Sequence, residues 1–235
     1  MQTTLAQFNE TASTDAFALQ NAKLLKVRLD QVTIQAKLGS MVAYQGAVTF
    51  EHAGSGGMSR LIKKAVTGEG AALMKITGQG EVFLADEAQD IHLIYLENDR
   101  ITVNGPNLLA FDAGIDWDIN RVQGGSSAMM AGGLFNMSLT GTGWVAILSD
   151  GPPVLLNVAQ APTFADAAAA ITWSSGVETA IRTDFKMKNL IGRGSGESIQ
   201  MAFTGQGWVL VQPSEGRVTA PAGSGGGGLG NLLNG

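Results

Sequence analysis

One eight-residue pattern occurs three times in this chain at nearly equal intervals. It reads TGQGEVFL at residues 77–84, TGTGWVAI at residues 140–147 and TGQGWVLV at residues 204–211. The copies begin 63 and 64 residues apart. Repetition at a fixed period indicates a fold built from copies of one supersecondary unit.

A second motif precedes each copy and consists of an apolar run, an aromatic residue and a turn closed by glycine. Its aromatic residues are Tyr44, Phe111 and Trp173. Gly-rich loops separate the two motifs, at residues 54–57, 124–133 and 192–196. Two motifs in one order, repeated three times, predict three degenerate copies of a single β-unit.

The eight-residue pattern predicts a β-strand in which the paired glycines share one face, because side chains alternate faces every second residue. Gly costs backbone entropy in a strand, so three such pairs indicate a geometric need. The absence of a Cβ allows close approach of another backbone or ring, and the simplest such need is three equivalent strands crowded about a pseudo-threefold axis. The predicted structural residues are Gly78, Gly80, Gly141, Gly143, Gly205 and Gly207. On the opposite face, Trp144 and Trp208 stand where the first copy has the more polar Glu81.

The sequence therefore predicts one all-β domain of three units. Further strands are predicted at residues 17–29, 32–37, 91–96, 101–103 and 154–158. One short helix is predicted at about residues 60–66, since Ser59 can cap its start and Gly68 its end. The predicted divisions are a lead-in (1–16), the β domain (17–219, with units at about 17–103, 104–162 and 163–219) and a flexible Gly-rich tail (220–235).

Composition narrows the functional classes. Nucleic-acid binding draws on the neutralisation of phosphates, so a net charge of −5 without a basic run argues against it. The chain has no cysteine, which excludes disulfides and thiolate metal sites. No apolar run approaches the roughly 20 residues of a membrane span, and the first residues lack the pattern of a targeting peptide. We expect a soluble, cytoplasmic protein, with contact to a membrane surface still possible.

Catalytic patterns are scarce, and no catalytic, cofactor-binding or metal-ligating residue is predicted. His52 and His92 lack the spacing of metal ligands. Asp116 and Asp118 share a strand face and could do acid–base work, although an exposed acidic face is the simpler interpretation. We expect a protein that is not an enzyme.

Two apolar segments are candidate interaction sites. No charged residue lies between Arg121 and Asp150, so this stretch is either a well-buried central unit or a surface that meets another molecule. The candidate contact residues there are Met129, Met130, Leu134 and Phe135. The tail carries Leu229, Leu232 and Leu233 behind a glycine run, and it is either a docking segment or a plain flexible end.

Three motifs together resemble one protein family. They are GSMVAYQG at residues 39–46, Gly-Glu-Gly at residues 68–70 and TGQG at residues 77–80. The chain resembles the bacterial branch of the Altered Inheritance of Mitochondria twenty-four family from about residue 17 to 213. The resemblance implies a fold like that of the tryptophan RNA-binding attenuation protein, with three β-sandwich-like units around a pseudo-threefold axis. It also implies a poorly defined function, linked to inner-membrane organisation in mitochondrial members and to stress-response systems in some bacterial ones.

Function does not follow from such a fold, because it depends on the site. We therefore expect a non-enzymatic structural or binding protein, a scaffold or adaptor that acts through self-association or a protein partner. The alternative is a module that binds a small ligand or anion with its Gly-rich loops.

Overall fold

The structure is a computed structural model that describes residues 3–30, 32–52, 73–121, 135–182 and 200–214. These residues form fifteen strands and two short 3₁₀ turns, Leu5–Phe8 and Gly105–Asn107, with no α-helix among them. The strands are β1 (Phe17–Asn21), β2 (Leu24–Asp30), β3 (Ile34–Lys37), β4 (Met41–His52), β5 (Leu73–Leu84), β6 (Asp90–Asn104), β7 (Leu108–Asp112), β8 (Asp116–Arg121), β9 (Phe135–Ser149), β10 (Val154–Asn157), β11 (Thr163–Asp166), β12 (Ala170–Ser174), β13 (Val177–Arg182), β14 (Gln200–Gly205) and β15 (Trp208–Val211).

Every pairing between these strands is antiparallel, and the all-β prediction is confirmed. Twelve strands form one large sheet, and β11, β14 and β13 form a small one. The predicted helix at about residues 60–66 lies outside the described residues.

Strand pairing divides the sheets into three groups, each built on a central strand with a Thr-Gly-x-Gly segment. The central strands are β5, β9 and the β14–β15 pair. Each central strand has partner strands on both sides, and we call the partners that come earlier in the chain the leading flank. The leading flanks are β2–β3, β6 and β10–β11. The other side, the following flank, consists of β4, β7–β8 and β12–β13.

The following flanks have the same register in all three groups. The aromatic residues Tyr44, Phe111 and Trp173 lie opposite Val82, Val145 and Val209, and each of these valines is five residues after the threonine of its repeat. Two residues before each aromatic residue, the flank has an extra residue opposite its central strand, which is the signature of a β-bulge. The bulge residues are Val42, Leu109 and Ile171.

Successive groups are joined by one kind of strand pairing, between the leading flank of one group and the following flank of the next. β3 of the first group pairs with β7 of the second, with Gln35 opposite Phe111. β6 of the second pairs with β12 of the third, with Thr102 opposite Trp173. Both junctions therefore place the aromatic residue of one group against the leading flank of the group before it. We call this pairing the group junction.

The third repeat departs from the continuous strand that its sequence predicts. Residues 77–84 and 140–147 lie within the single strands β5 and β9, whereas β14 ends at Gly205 and β15 begins at Trp208. The backbone at Gln206 instead donates its N–H to the Gly176 carbonyl oxygen at 3.0 Å. This bend, at Gln206 between Gly205 and Gly207 at positive φ, separates β14 from β15.

Candidate interaction surface

The paired glycines lie beside the following flanks, and five of the six leave no room for a Cβ. All six have φ between +104° and +149°, a range that L side chains rarely adopt. In the first group, a Cβ at Gly78 or Gly80 would overlap the carbonyl oxygen of Ala47 or Gln45. The backbones of β4 and β5 are therefore in contact at the glycines.

In the other two groups a side chain fills this place at the second glycine of the pair, Gly143 or Gly207. The backbone N–H of Trp144 donates to Asp112 Oδ2 at 2.6 Å, and the backbone N–H of Trp208 donates to Ser174 Oγ at 3.1 Å. Burial raises the pKa of the Asp112 carboxyl above its ordinary value, and the N–H of Trp144 opposes this effect. Each side chain satisfies a backbone N–H that lies beside a gap in the following flank, between β7 and β8 in the second group and between β12 and β13 in the third.

The first group has a charged cluster where the others have tryptophan. Glu81 accepts a hydrogen bond from Lys26 Nζ at 2.8 Å, and Lys26 also contacts Glu10 at 3.4 Å. The hydrogen bond to Glu81 raises the pKa of Lys26, opposed by burial of the ammonium group, and the same bond lowers the pKa of Glu81. Gln45 donates to Glu10 at 2.6 Å, so the N-terminal lead-in is tied to this cluster.

The start of β4 is exposed, although the equivalent strands are buried. Every residue from 41 to 45 is exposed, and Val42 and Tyr44 are 60% and 49% exposed. The equivalent bulge residues Leu109 and Ile171 are fully buried. We call residues 41–45 the β4 edge.

Burial of the equivalents comes from the group junction. Leu109 belongs to the hydrophobic core of the first group, and Ile171 to that of the second. Leu109 and Ile171 thus each insert into the core of the preceding group. The core of the third group contains Val158, Trp173 and Phe203 but no residue of β4.

Among the described residues, His92 has one close polar side-chain partner. His92 Nε2 and Ser149 Oγ are 2.7 Å apart, and burial lowers the pKa of His92 while the Asp90 carboxylate opposes the shift. Within the described part of the chain, no three His, Asp or Glu residues are placed to hold a metal ion. The same part contains no helix with the length and apolar character required to cross a bilayer.

Most interaction residues predicted from the sequence lie outside the described residues. These are Met129, Met130, Leu134, Leu229, Leu232 and Leu233, together with the three Gly-rich loops. Phe135 begins β9, but its side chain is not among those described. The β4 edge was not predicted as a surface, because its apolar–aromatic pattern is the same one that is buried in the other groups.

Comparisons with known proteins agree with this architecture. The chain is similar in fold to protein SPYM3_0169 from Streptococcus pyogenes, with a TM-score of 0.68 and 22% sequence identity over 84% of this chain and 92% of that one. A search of curated proteins finds no match. The family described as mitochondrial biogenesis AIM24 matches residues 17–214, which confirms the resemblance seen in the sequence motifs. The chain belongs to the AIM24 family.

Proposed function

We propose that this protein is a non-enzymatic scaffold or adaptor that acts through self-association or a protein partner. The observation that supports this proposal is the β4 edge, an apolar strand segment exposed where both of its equivalents are core. Exposed apolar edge strands are sites at which another chain can add a strand.

The energetic case follows from the two buried equivalents. Burial of a Val, Leu, Ile or Phe side chain contributes about 1.5–3 kcal/mol. Much of this stabilisation is not gained by Met41, Val42 and Tyr44, because their side chains are exposed. A strand that covers the β4 edge would gain it, together with the hydrogen bonds of a new ladder.

A pseudo-threefold relation between the three groups is part of this proposal. Its support is the group junction, which recurs in the same register between the first and second groups and between the second and third. The predicted contact residues Met129, Met130, Leu134 and Phe135, and the tail leucines 229, 232 and 233, stay predictions of additional contacts.

The test is the molar mass of the protein over a range of concentrations, measured by light scattering. Val42→Asp should weaken association at least tenfold, because a carboxylate would enter an apolar contact. Leu5→Asp is the matched control, since Leu5 is 64% exposed and belongs to no strand. The proposal fails if Val42→Asp alters neither the mass at any concentration nor the recovery of any protein bound by the wild type.

A further inference from the structure

The β4 edge has a complementary strand elsewhere in the chain. Among the described residues, β4 pairs with β5 alone, and β11 is one of the two edge strands of the small sheet. β4 is the following flank of the first group, and β11 belongs to the leading flank of the third. These are the two kinds of strand that meet at a group junction.

The two existing junctions fix the register of a third. Ala36 lies opposite Ala110, and Val103 opposite Thr172. The equivalent residues are Ala165 in β11 and Ala43 in β4, as defined by their partners Met201 and Phe83 on the central strands. A third junction therefore places Ala165 opposite Ala43, Phe164 opposite Tyr44 and Thr163 opposite Gln45. It would also carry Val42 into the core of the third group, as Leu109 and Ile171 enter the cores before them.

A ring closed within one chain would pair β11 with β4 of the same molecule. In the structure the two strands are not paired, and the β4 edge is exposed along its whole length. We propose that a second copy of this chain supplies the partner, with β11 of one copy paired antiparallel to the β4 edge of the next. This inference rests on the proposed self-association and names its surface. The contact is heterologous, so it generates a closed ring or a filament of copies.

The absence of native cysteine allows a direct test by disulfide trapping. Residues directly opposite each other in an antiparallel pair have Cβ atoms about 4.5–5.5 Å apart, close to the separation that a disulfide needs. Ala43→Cys and Ala165→Cys are made as separate chains, mixed and oxidised mildly. A mixed dimer of twice the 24.4 kDa of one chain should form at least tenfold more than the dimers of either variant alone.

Ala47→Cys mixed with Ala165→Cys is the matched control, because Ala47 is exposed on the same strand but four residues out of register. It should give no more dimer than the single variants. If Ala165→Cys does not fold, Gln45→Cys with Thr163→Cys tests the same register.

Two results would overturn the inference. The first concerns a double variant with Ala43→Cys and Ala165→Cys in one chain. If it forms a disulfide only within the monomer, and the mixture of single variants gives no dimer, the two strands pair within one chain. The second is no cross-link in any register although the wild type associates in light scattering. In that second case the proposed function stands and only this surface is wrong.

Discussion

Crowding at the paired glycines can be separated from their backbone strain by substitution at equivalent positions. Gly78 and Gly141 have similar φ values, +128° and +140°, so alanine meets about the same backbone penalty at either, roughly 1–3 kcal/mol. Alanine also restricts the unfolded chain, which offsets about 0.4–1 kcal/mol of that penalty. The surroundings differ. A Cβ at Gly78 would overlap the Ala47 carbonyl oxygen, whereas the nearest atom to a Cβ at Gly141 is Ile115 Cα at 3.6 Å.

We therefore expect Gly78→Ala to lower the free energy of unfolding by about 1–3 kcal/mol more than Gly141→Ala, the usual range for overpacking. The opposing atom is a main-chain oxygen held by the pairing of Val48 with Gly78, so it cannot move aside as a side chain could. The assay is urea unfolding, with the midpoints compared at an unchanged slope. Gly205→Ala, whose Cβ would lie 2.5 Å from the Gly176 oxygen, should resemble Gly78→Ala. Equal midpoints for Gly78→Ala and Gly141→Ala would refute the crowding argument.

Two further predictions concern pH. Glu81→Gln should lower the free energy of unfolding near pH 7 by about 1.5–3 kcal/mol, the range for a hydrogen bond to a charged group. Because the folded-state pKa of Glu81 is lowered, this difference from wild type should shrink as pH falls through that pKa, and a constant difference would contradict the ion pair with Lys26. The pKa of Asp112 is raised instead, so its contribution is present below the unfolded-state pKa and is lost as pH rises through the folded-state value. Asp112→Asn keeps an acceptor for Trp144 N–H, and unfolding curves should show its stability gaining on wild type from about pH 3 to pH 7; parallel curves would exclude burial of the carboxyl as the cause.

The repeats predicted the central strands well because their alternation and glycine positions are local properties. The errors lie where one residue changes the path of the chain. Residues 17–29, predicted as one strand, form the hairpin of β1 and β2, whose turn is held by the Lys23 N–H donating to Asn21 Oδ1 at 2.8 Å. Asx turns of this kind are a known signal of asparagine, so this turn could have been predicted. Residues 91–103, predicted as two strands, lie within β6, which continues through a register shift beside Asn98 at φ +51°.

Exposure of the β4 edge could not be predicted in this way. Met41, Val42 and Tyr44 follow the same pattern as Leu108, Leu109 and Phe111, which are buried. What differs is the strand on the other side: β3 covers β7, and no described strand covers the β4 edge. Burial by a distant strand is a property of the assembled sheet, so only the structure distinguishes the two copies.

Glu81, the one charged residue in the three repeats, favours a junction between molecules over a junction within one. Trp144 packs against the core of the first group and Trp208 against the core of the second, so each contributes to the junction with the preceding group. Glu81 occupies the equivalent position at the junction that β4 would form, and there it is paired with Lys26. A junction that is always closed within one chain faces the same demand for dry packing as the other two, and tryptophan meets that demand by burying a large apolar surface. A junction that forms between copies must also remain in water before they meet. The ion pair of Glu81 and Lys26 suits that state, because Glu81 stays partly exposed to water and the buried Lys26 balances its charge, while Val42 and Tyr44 supply the apolar contact.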